Sequence, residues 1–267
     1  MIFIIFVFGL LLGSFLNSVI FRSASGGSIL AGHSECPSCG HKLGFWDLIP
    51  IFSFVFLRGR CRYCGKKISW QYPVVELATA AAFVLIYAQG VIPRLNRGIQ
   101  AGSPIGSGMT DWVNIIFQFI FASFLIVIFV YDLRHYLIPD KFVYPAIFLA
   151  AFYQAIAGRS GQAALGAFLL FGFFGLLYLV SRGRFLGLGD VKLGVFLGFL
   201  IPYPETLVLF FLAYVLGALV SLLLLLGRRK RMRDPVPFGP FLTSAAFIAM
   251  LYGEEMVGWY FGLIGIA

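Results

Sequence analysis

Eight long apolar stretches constrain the fold of this chain of 267 residues more than any other feature of its sequence. A helix crosses a bilayer core about 30 Å thick with roughly 20 apolar residues. Stretches near this length lie at residues 1–21, 74–92, 112–131, 142–157, 163–181, 190–203, 205–227 and 238–258. Only 12% of the residues are charged, about half the share of an average soluble domain. We therefore predict an all-α polytopic membrane protein with about eight transmembrane helices.

The distribution of lysine and arginine predicts the orientation of these helices. If the N-terminus lies outside, the inner loops hold all of the 20 basic residues except Arg94, Arg97 and Arg159, as the positive-inside rule requires. The net charge of +9 then reflects topology and affinity for anionic lipid head groups. Nucleic acid is a poor partner, because the basic residues lie at helix ends beside the membrane. The expected location is the cytoplasmic membrane.

One long polar loop, residues 22–73, carries all four cysteines in two C-x-x-C pairs separated by 21 residues. The pairs are Cys36 with Cys39 and Cys61 with Cys64. Each pair offers two thiolates to one tetrahedral Zn²⁺, and four thiolates leave no open position, so the metal would be structural. Gly40 and Gly65 follow the pairs and permit the tight turn of a knuckle. The alternative is that the cysteines are redox pairs or unrelated thiols. Disulfides are disfavoured because the loop is expected to face the reducing cytoplasm.

Two aspartates occupy unusual positions next to the membrane. Asp132 follows the third stretch, and Asp190 begins the sixth, in Gly187-Leu188-Gly189-Asp190. The predicted topology places both at the inner face. Two carboxylates brought close share a proton, and such a pair can activate water and protonate a carbonyl oxygen. Gly187 and Gly189 would let a substrate backbone approach Asp190. The alternative is that such aspartates cap helix ends or pair with nearby basic residues.

Three further charged residues have both a structural and a functional interpretation. Asp140 follows Pro139 and is expected to be the N-cap of the next helix. Lys192 lowers the pKa of the aspartate pair or binds a substrate carbonyl in the functional interpretation, and extends from a helix end towards water in the structural one. Glu76 either binds basic groups or the amine of a substrate, or is a neutral or Arg-paired residue at a helix end.

These features together resemble a known family, the type IV prepilin leader peptidases, which are membrane aspartic proteases of the G-x-G-D type. The resembling segments lie at residues 13–17, 36–39, 48–53, 57–64, 72–76, 131–140, 187–192 and 237–240. The resemblance implies an enzyme that cleaves prepilin or pseudopilin leaders after glycine at the cytoplasmic face, in type IV pilus or type II secretion systems. It also implies N-methylation of the new terminus with S-adenosylmethionine. Cleavage maps onto Asp132 and Asp190.

The same resemblance divides the chain into three parts and leaves two alternatives. The parts are a first transmembrane helix at 1–21, a zinc-binding loop associated with methyl transfer at 22–73, and a peptidase bundle at 74–267. Another G-x-G-D protease without methylase activity fits the two aspartates, although the chain has no Pro-Ala-Leu segment. A proton-coupled transporter could use the same aspartates, but such sites usually lie at mid-membrane. Residues 93–111 are expected to form a polar linker.

Overall fold

The computed structural model describes residues 1–26, 33–101, 108–184, 186–227 and 236–265, with the side chains of 91–101 and 108–111 excepted. Within these residues the backbone is helical, with a single 3₁₀ turn at Phe45–Asp47 and two isolated β-bridges. The helices are α1 (Ile2–Ala24), α2 (Phe52–Phe56), α3 (Gln71–Ala101), α4 (Gly108–His135), α5 (Asp140–Ile156), α6 (Ser160–Ser181), α7 (Leu188–Leu200), α8 (Glu205–Leu226) and α9 (Gly239–Leu263).

Among the described residues, five segments are long and apolar enough to cross a membrane. They are α1, Gln71–Gly90 of α3, Trp112–His135 of α4, α6 and α8. The prediction of an all-α membrane protein is thereby confirmed. A helix overlaps each of the eight predicted spans, but α5 and α7 have 17 and 13 residues, fewer than the roughly 20 that a bilayer requires. The number of eight passes stays a prediction.

The linker predicted at residues 93–111 is partly wrong. The α3 helix continues through Ala101 and α4 begins at Gly108, while residues 102–107 lie outside the described part of the chain. Three of the four glycines of this segment lie at 102, 106 and 108. Residues 94–101 hold one glycine and therefore form a better helix than the composition of the whole segment suggests.

The chain forms two compact units, Met1–Val127 and Ile128–Ala267. In the first unit, α1 packs against α3 through two glycines one helical turn apart. A β-carbon on Gly9 would lie 2.6 Å from the Cα of Ala80, and one on Gly13 would lie 2.7 Å from the Cα of Glu76. This is the small-residue packing by which membrane helices approach each other closely.

In the second unit, α7 lies between α5, α6 and α9. Gly194 and Gly198 of α7 face α6, where β-carbons would overlap the ring of Phe174 and the backbone of Ala167. Seven of the 13 residues of α7 are buried. Because α7 is enclosed in this way, the packing of the whole unit fixes the position of its N-terminal turn, which carries Asp190.

Candidate functional site

Asp132 lies in the last turn of α4 and is 5% exposed. Its carboxylate accepts a hydrogen bond from the backbone N–H of Gly239, the first residue of α9. The first N–H groups of a helix have no partner within the helix and attract negative charge. A β-carbon on Gly239 would lie 2.5 Å from Oδ2 of Asp132, so any larger residue there would displace this carboxylate. The sequence marked residues 237–240 as a motif but assigned Gly239 no role.

Asp190 is the third residue of α7, and its Oδ2 accepts a hydrogen bond from the N–H of Gly187 at 3.2 Å. Its carboxylate also interacts electrostatically with that of Asp132. The two aspartates, 58 positions apart in the sequence, therefore lie near enough within the second unit to influence each other's charge. Each aspartate also accepts a hydrogen bond from a backbone N–H at the beginning of a helix. The two aspartates therefore cap helices and also lie near each other.

Ile138, in the connection between α4 and α5, fills the space beside both aspartates. A β-carbon on Gly189 would lie 3.0 Å from the Cβ of Ile138, and one on Gly239 would lie 3.4 Å from its Cδ1. Gly189 thus makes room for this side chain, and the approach of a substrate backbone to Asp190 stays a prediction. Gly187 is exposed, and a β-carbon there would approach only Asp190 and Gly189, at 3.6 and 3.9 Å.

Lys192 and Asp140 form an ion pair between α7 and α5. The Nζ of Lys192 lies 2.8 and 2.9 Å from the two carboxylate oxygens of Asp140 and 5.3 Å from the centre of the Tyr144 ring. The N-cap of α5 is Pro139 and Asp140 is its first helical residue, so the predicted cap was misplaced by one residue.

Glu76 lies within the first unit and is 6% exposed. Its Oε2 accepts a hydrogen bond from the N–H of Ile51 at 2.8 Å, and the side chain of Ser14 also hydrogen-bonds to it. Ile51 has φ 61° and ψ −49°, and the N–H of Phe52 bonds to the carbonyl of Pro50 at 2.6 Å. This is a γ-turn, a strained conformation for a β-branched residue. Glu76 therefore holds a strained loop in place.

The four cysteines converge in the first unit. Their Sγ atoms all lie within 4.8 Å of one another, and those of Cys36 and Cys64 are 4.0 Å apart. A tetrahedral site with Zn–S bonds of about 2.3 Å has S···S edges of about 3.8 Å. The cluster therefore fits one metal ion of that coordination.

The two C-x-x-C segments fold as matching knuckles. In each segment the N–H of the following glycine bonds to the carbonyl of the first cysteine at 2.9 Å. Both glycines have positive φ, 68° at Gly40 and 69° at Gly65, which confirms the predicted tight turns. An antiparallel bridge closes each turn, Glu35 with Lys42 and Arg60 with Lys67.

The thiols of the cluster differ in acidity. Burial opposes ionisation of Cys36, but hydrogen bonds from the N–H groups of Ser38 and Cys39 and from neighbouring thiols lower its pKa to about 7. The N–H of His41 acts to lower the pKa of Cys39, but partial desolvation and the adjacent sulfurs outweigh it and raise that pKa to about 11. Adjacent thiols resist ionising together, and a dication among them would deprotonate all four.

Asp47 ties the segment after the first knuckle to the second knuckle and was missed by the sequence reasoning. Its Oδ1 lies 2.9 Å from Nε of Arg62, and its Oδ2 accepts hydrogen bonds from Tyr63 Oη and the N–H of Gly44, both at 3.1 Å. The available signal was that Asp47 and Glu35 are the only carboxylates in the basic loop 22–73.

An all-helical membrane protein that pairs two aspartates at helix ends, and carries a four-cysteine cluster on a loop, has the features of a membrane aspartic peptidase with a metal-binding module. Comparison with known proteins gives the same result. The model of the Bacterial Peptidase A24 N-terminal domain matches residues 7–90, and that of the Type IV leader peptidase family matches residues 119–222. The chain belongs to the type IV leader peptidase family.

Curated relatives extend over nearly the whole chain. A prepilin leader peptidase/N-methyltransferase of Bacillus subtilis is 33% identical over 97% of this chain and 98% of its own length. One of Aeromonas hydrophila is 28% identical over 96% of this chain and 92% of its own length. No solved structure matches the chain.

Proposed function

We propose that this protein removes the leader peptide of type IV prepilins or pseudopilins after glycine and then methylates the new N-terminal amine. The proposal rests on the interaction between Asp132 and Asp190 in a chain whose full-length relatives carry both activities in their names. The family match favours a peptidase over a proton-coupled transporter. The segment before residue 91 matches the bacterial N-terminal domain model, which favours this family over other G-x-G-D proteases.

Cleavage follows from two carboxylates that share one proton. The ionised carboxylate takes a proton from a water molecule whose oxygen attacks the scissile carbonyl carbon, while the protonated partner gives its proton to the carbonyl oxygen. The resulting diol collapses as the C–N bond breaks: the leaving amine takes a proton from the carboxyl that accepted it from water, and one diol hydroxyl returns its proton to the other carboxylate as the new carboxyl group forms. Hydrogen bonds from Gly239 and Gly187 hold the two carboxylates in place during these transfers.

The supporting residues act through position. The ion pair of Lys192 with Asp140 ties α5 to the turn of α7 that carries Asp190. Glu76 positions the loop at Ile51. We also propose that Glu76 holds the leader's basic residues or the amine to be methylated, because its carboxylate contacts the loop between α1 and α3 at Ile51.

The cofactors proposed are one structural Zn²⁺ and S-adenosylmethionine. The cysteine cluster would hold Zn²⁺, which would fix the loop as a small folded module that has little core of its own. S-adenosylmethionine supplies an activated methyl group for the freed amine. We associate residues 22–73 with this second activity and residues 74–267 with cleavage.

We place the protein in the cytoplasmic membrane with eight passes, its N-terminus outside and its aspartates at the cytoplasmic face. The distribution of basic residues supports this orientation. A prepilin with a basic leader and an apolar helix behind it would present its cleavage point at that boundary.

The test is cleavage of a prepilin substrate by purified protein carrying Asp132→Asn or Asp190→Asn. We expect each variant to lose cleavage while its yield and melting temperature stay near those of the native protein. Glu255→Gln is the matched control, because it also replaces a carboxylate by an amide, at an exposed position of α9. Near-normal cleavage by either aspartate variant would remove that residue from the mechanism.

A further inference from the structure

The short helix α2, in the loop between α1 and α3, has an uncovered apolar face. Its Phe52, Val55 and Phe56 are 62%, 65% and 81% exposed. These positions are three and four residues apart and therefore lie on one side of a helix. A contiguous apolar patch of this kind marks a contact surface.

The beginning of α2 lies beside a segment that enters the membrane. The N–H of Ile51, the residue before α2, is bonded to Oε2 of Glu76 at 2.8 Å. Glu76 is the sixth residue of α3 and belongs to the candidate span Gln71–Gly90. At about 1.5 Å per residue, it lies roughly 8 Å along the helix from Gln71. The N-terminus of α2 is thus held at the depth where α3 enters the apolar layer.

The middle of α2 lies at the same level. The ring of Phe54 is 5.0 Å from that of Trp70, the residue directly before α3. Tryptophan next to a membrane span is typical of the water–lipid interface, and Trp70 is 72% exposed. Both contacts therefore keep α2 alongside the first two turns of α3, where the candidate span begins.

Basic residues follow the apolar face directly. Arg58 and Arg60 come two and four residues after Phe56, and both are exposed. An apolar helix face followed by arginines suits the boundary between acyl chains and anionic head groups.

We propose that α2 is an interfacial helix that inserts Phe52, Val55 and Phe56 into the membrane leaflet where α3 begins, with Arg58 and Arg60 on anionic lipid head groups. The helix would anchor the cysteine cluster to the membrane surface, since Cys61 directly follows Arg60. The inference depends on α3 being a membrane span and is independent of the peptidase and methyltransferase activities.

The test measures lipid contact in the full-length protein in phosphatidylethanolamine–phosphatidylglycerol nanodiscs. All four native tryptophans are replaced by Phe, and one tryptophan is introduced by Phe56→Trp. The matched control introduces it by Lys66→Trp, at an exposed position of the second knuckle. Lipids brominated near the top of the acyl chains should quench most of the emission of the F56W protein and little of that of the K66W protein. Iodide in the water should show the reverse order.

Two further arms make the result decisive. Phe52→Trp repeats the measurement at a second position of the same face, in case F56W disturbs the fold. Adding Arg58→Gln and Arg60→Gln should weaken the dependence of quenching on the phosphatidylglycerol fraction. Equal quenching of F56W, F52W and K66W by brominated lipid would overturn the proposal. The proposal would also be overturned if brominated lipid did not quench the F56W and F52W proteins and their emission shifted only when an apolar helical peptide was added. The face of α2 would then bind a protein segment rather than lipid.

Discussion

Gly239 holds the carboxylate of Asp132 at the N-terminus of α9. The backbone N–H of Gly239 bonds to the carboxylate, and a β-carbon on Gly239 would lie 2.5 Å from its Oδ2. The same β-carbon would lie 3.4 Å from Ile138, the side chain that also faces Gly189 beside Asp190. Gly239 has no reactive side chain, but the space it leaves therefore determines where the Asp132 carboxylate and the Ile138 side chain lie.

We predict that Gly239→Ala lowers the rate of leader cleavage by about 100-fold, because a displacement of the order of 1 Å at a reacting group has this effect. The fold should persist, since alanine suits a helix better than glycine. The measurement is kcat for prepilin cleavage together with the melting temperature in detergent.

Gly258→Ala is the control for this change. It makes the same substitution in the same helix, where a β-carbon would meet nothing within 4 Å, and cleavage should be unaffected. Equal activity of the two glycine variants would show that the approach of Gly239 to Asp132 does not control catalysis.

The pairing of Lys192 with Asp140 should matter more for activity than for stability. The two side chains are 31% and 54% exposed, and an exposed ion pair contributes about 1 kcal/mol or less. We predict that Lys192→Met and Asp140→Asn each reduce kcat/KM about tenfold at most, because the loss of one such ion pair changes kcat/KM by no more than this. The melting temperature should change little.

The double variant distinguishes a pair from two independent effects. If the ion pair positions α7 against α5, the double variant should be no worse than either single one. Multiplied losses would instead mean that Lys192 contacts substrate by itself, as one interpretation of the sequence allowed.

Sequence patterns predicted local features well and long-range contacts poorly. The apolar stretches locate the long helices, and the glycines at positions 40 and 65 predict the knuckle turns, because both signals depend on neighbouring residues. The N–H of Ile51 on Glu76 and the ion pair of Asp140 with Lys192 join residues 25 and 52 positions apart. Such contacts depend on how helices pack, and a single sequence does not encode them in any local pattern.

The short helix α2 shows the same limit from another side. Its five residues lie in a segment that the sequence interpreted only as a polar metal-binding loop. The apolar run at residues 48–57 is too short to suggest a span, so its exposed helical face emerged only from the folded arrangement.

Close packing at Gly198 predicts a stability effect that is separable from chemistry. A β-carbon there would overlap the backbone of Ala167 in α6. We predict that Gly198→Ala destabilises the second unit by about 1–3 kcal/mol, the usual cost of overpacking, which thermal unfolding in detergent would measure. Gly172→Ala, in α6 with open space around it, should leave the melting temperature unchanged. A similar result for both variants would mean that α6 and α7 separate easily.

The cysteine cluster predicts one zinc ion per chain. Cys39→Ser should remove most of the metal, measured by mass spectrometry of the purified protein, while the matched Ser38→Ala should retain it. Because thiolates bind the metal and protons compete for them, metal content should fall as the pH is lowered.

Since the cluster belongs to the first unit and the aspartates to the second, metal loss should impair methylation of cleaved pilin more than cleavage itself. Native protein without metal would contradict the proposed zinc site, and equal loss of both activities would contradict the assignment of methylation to residues 22–73.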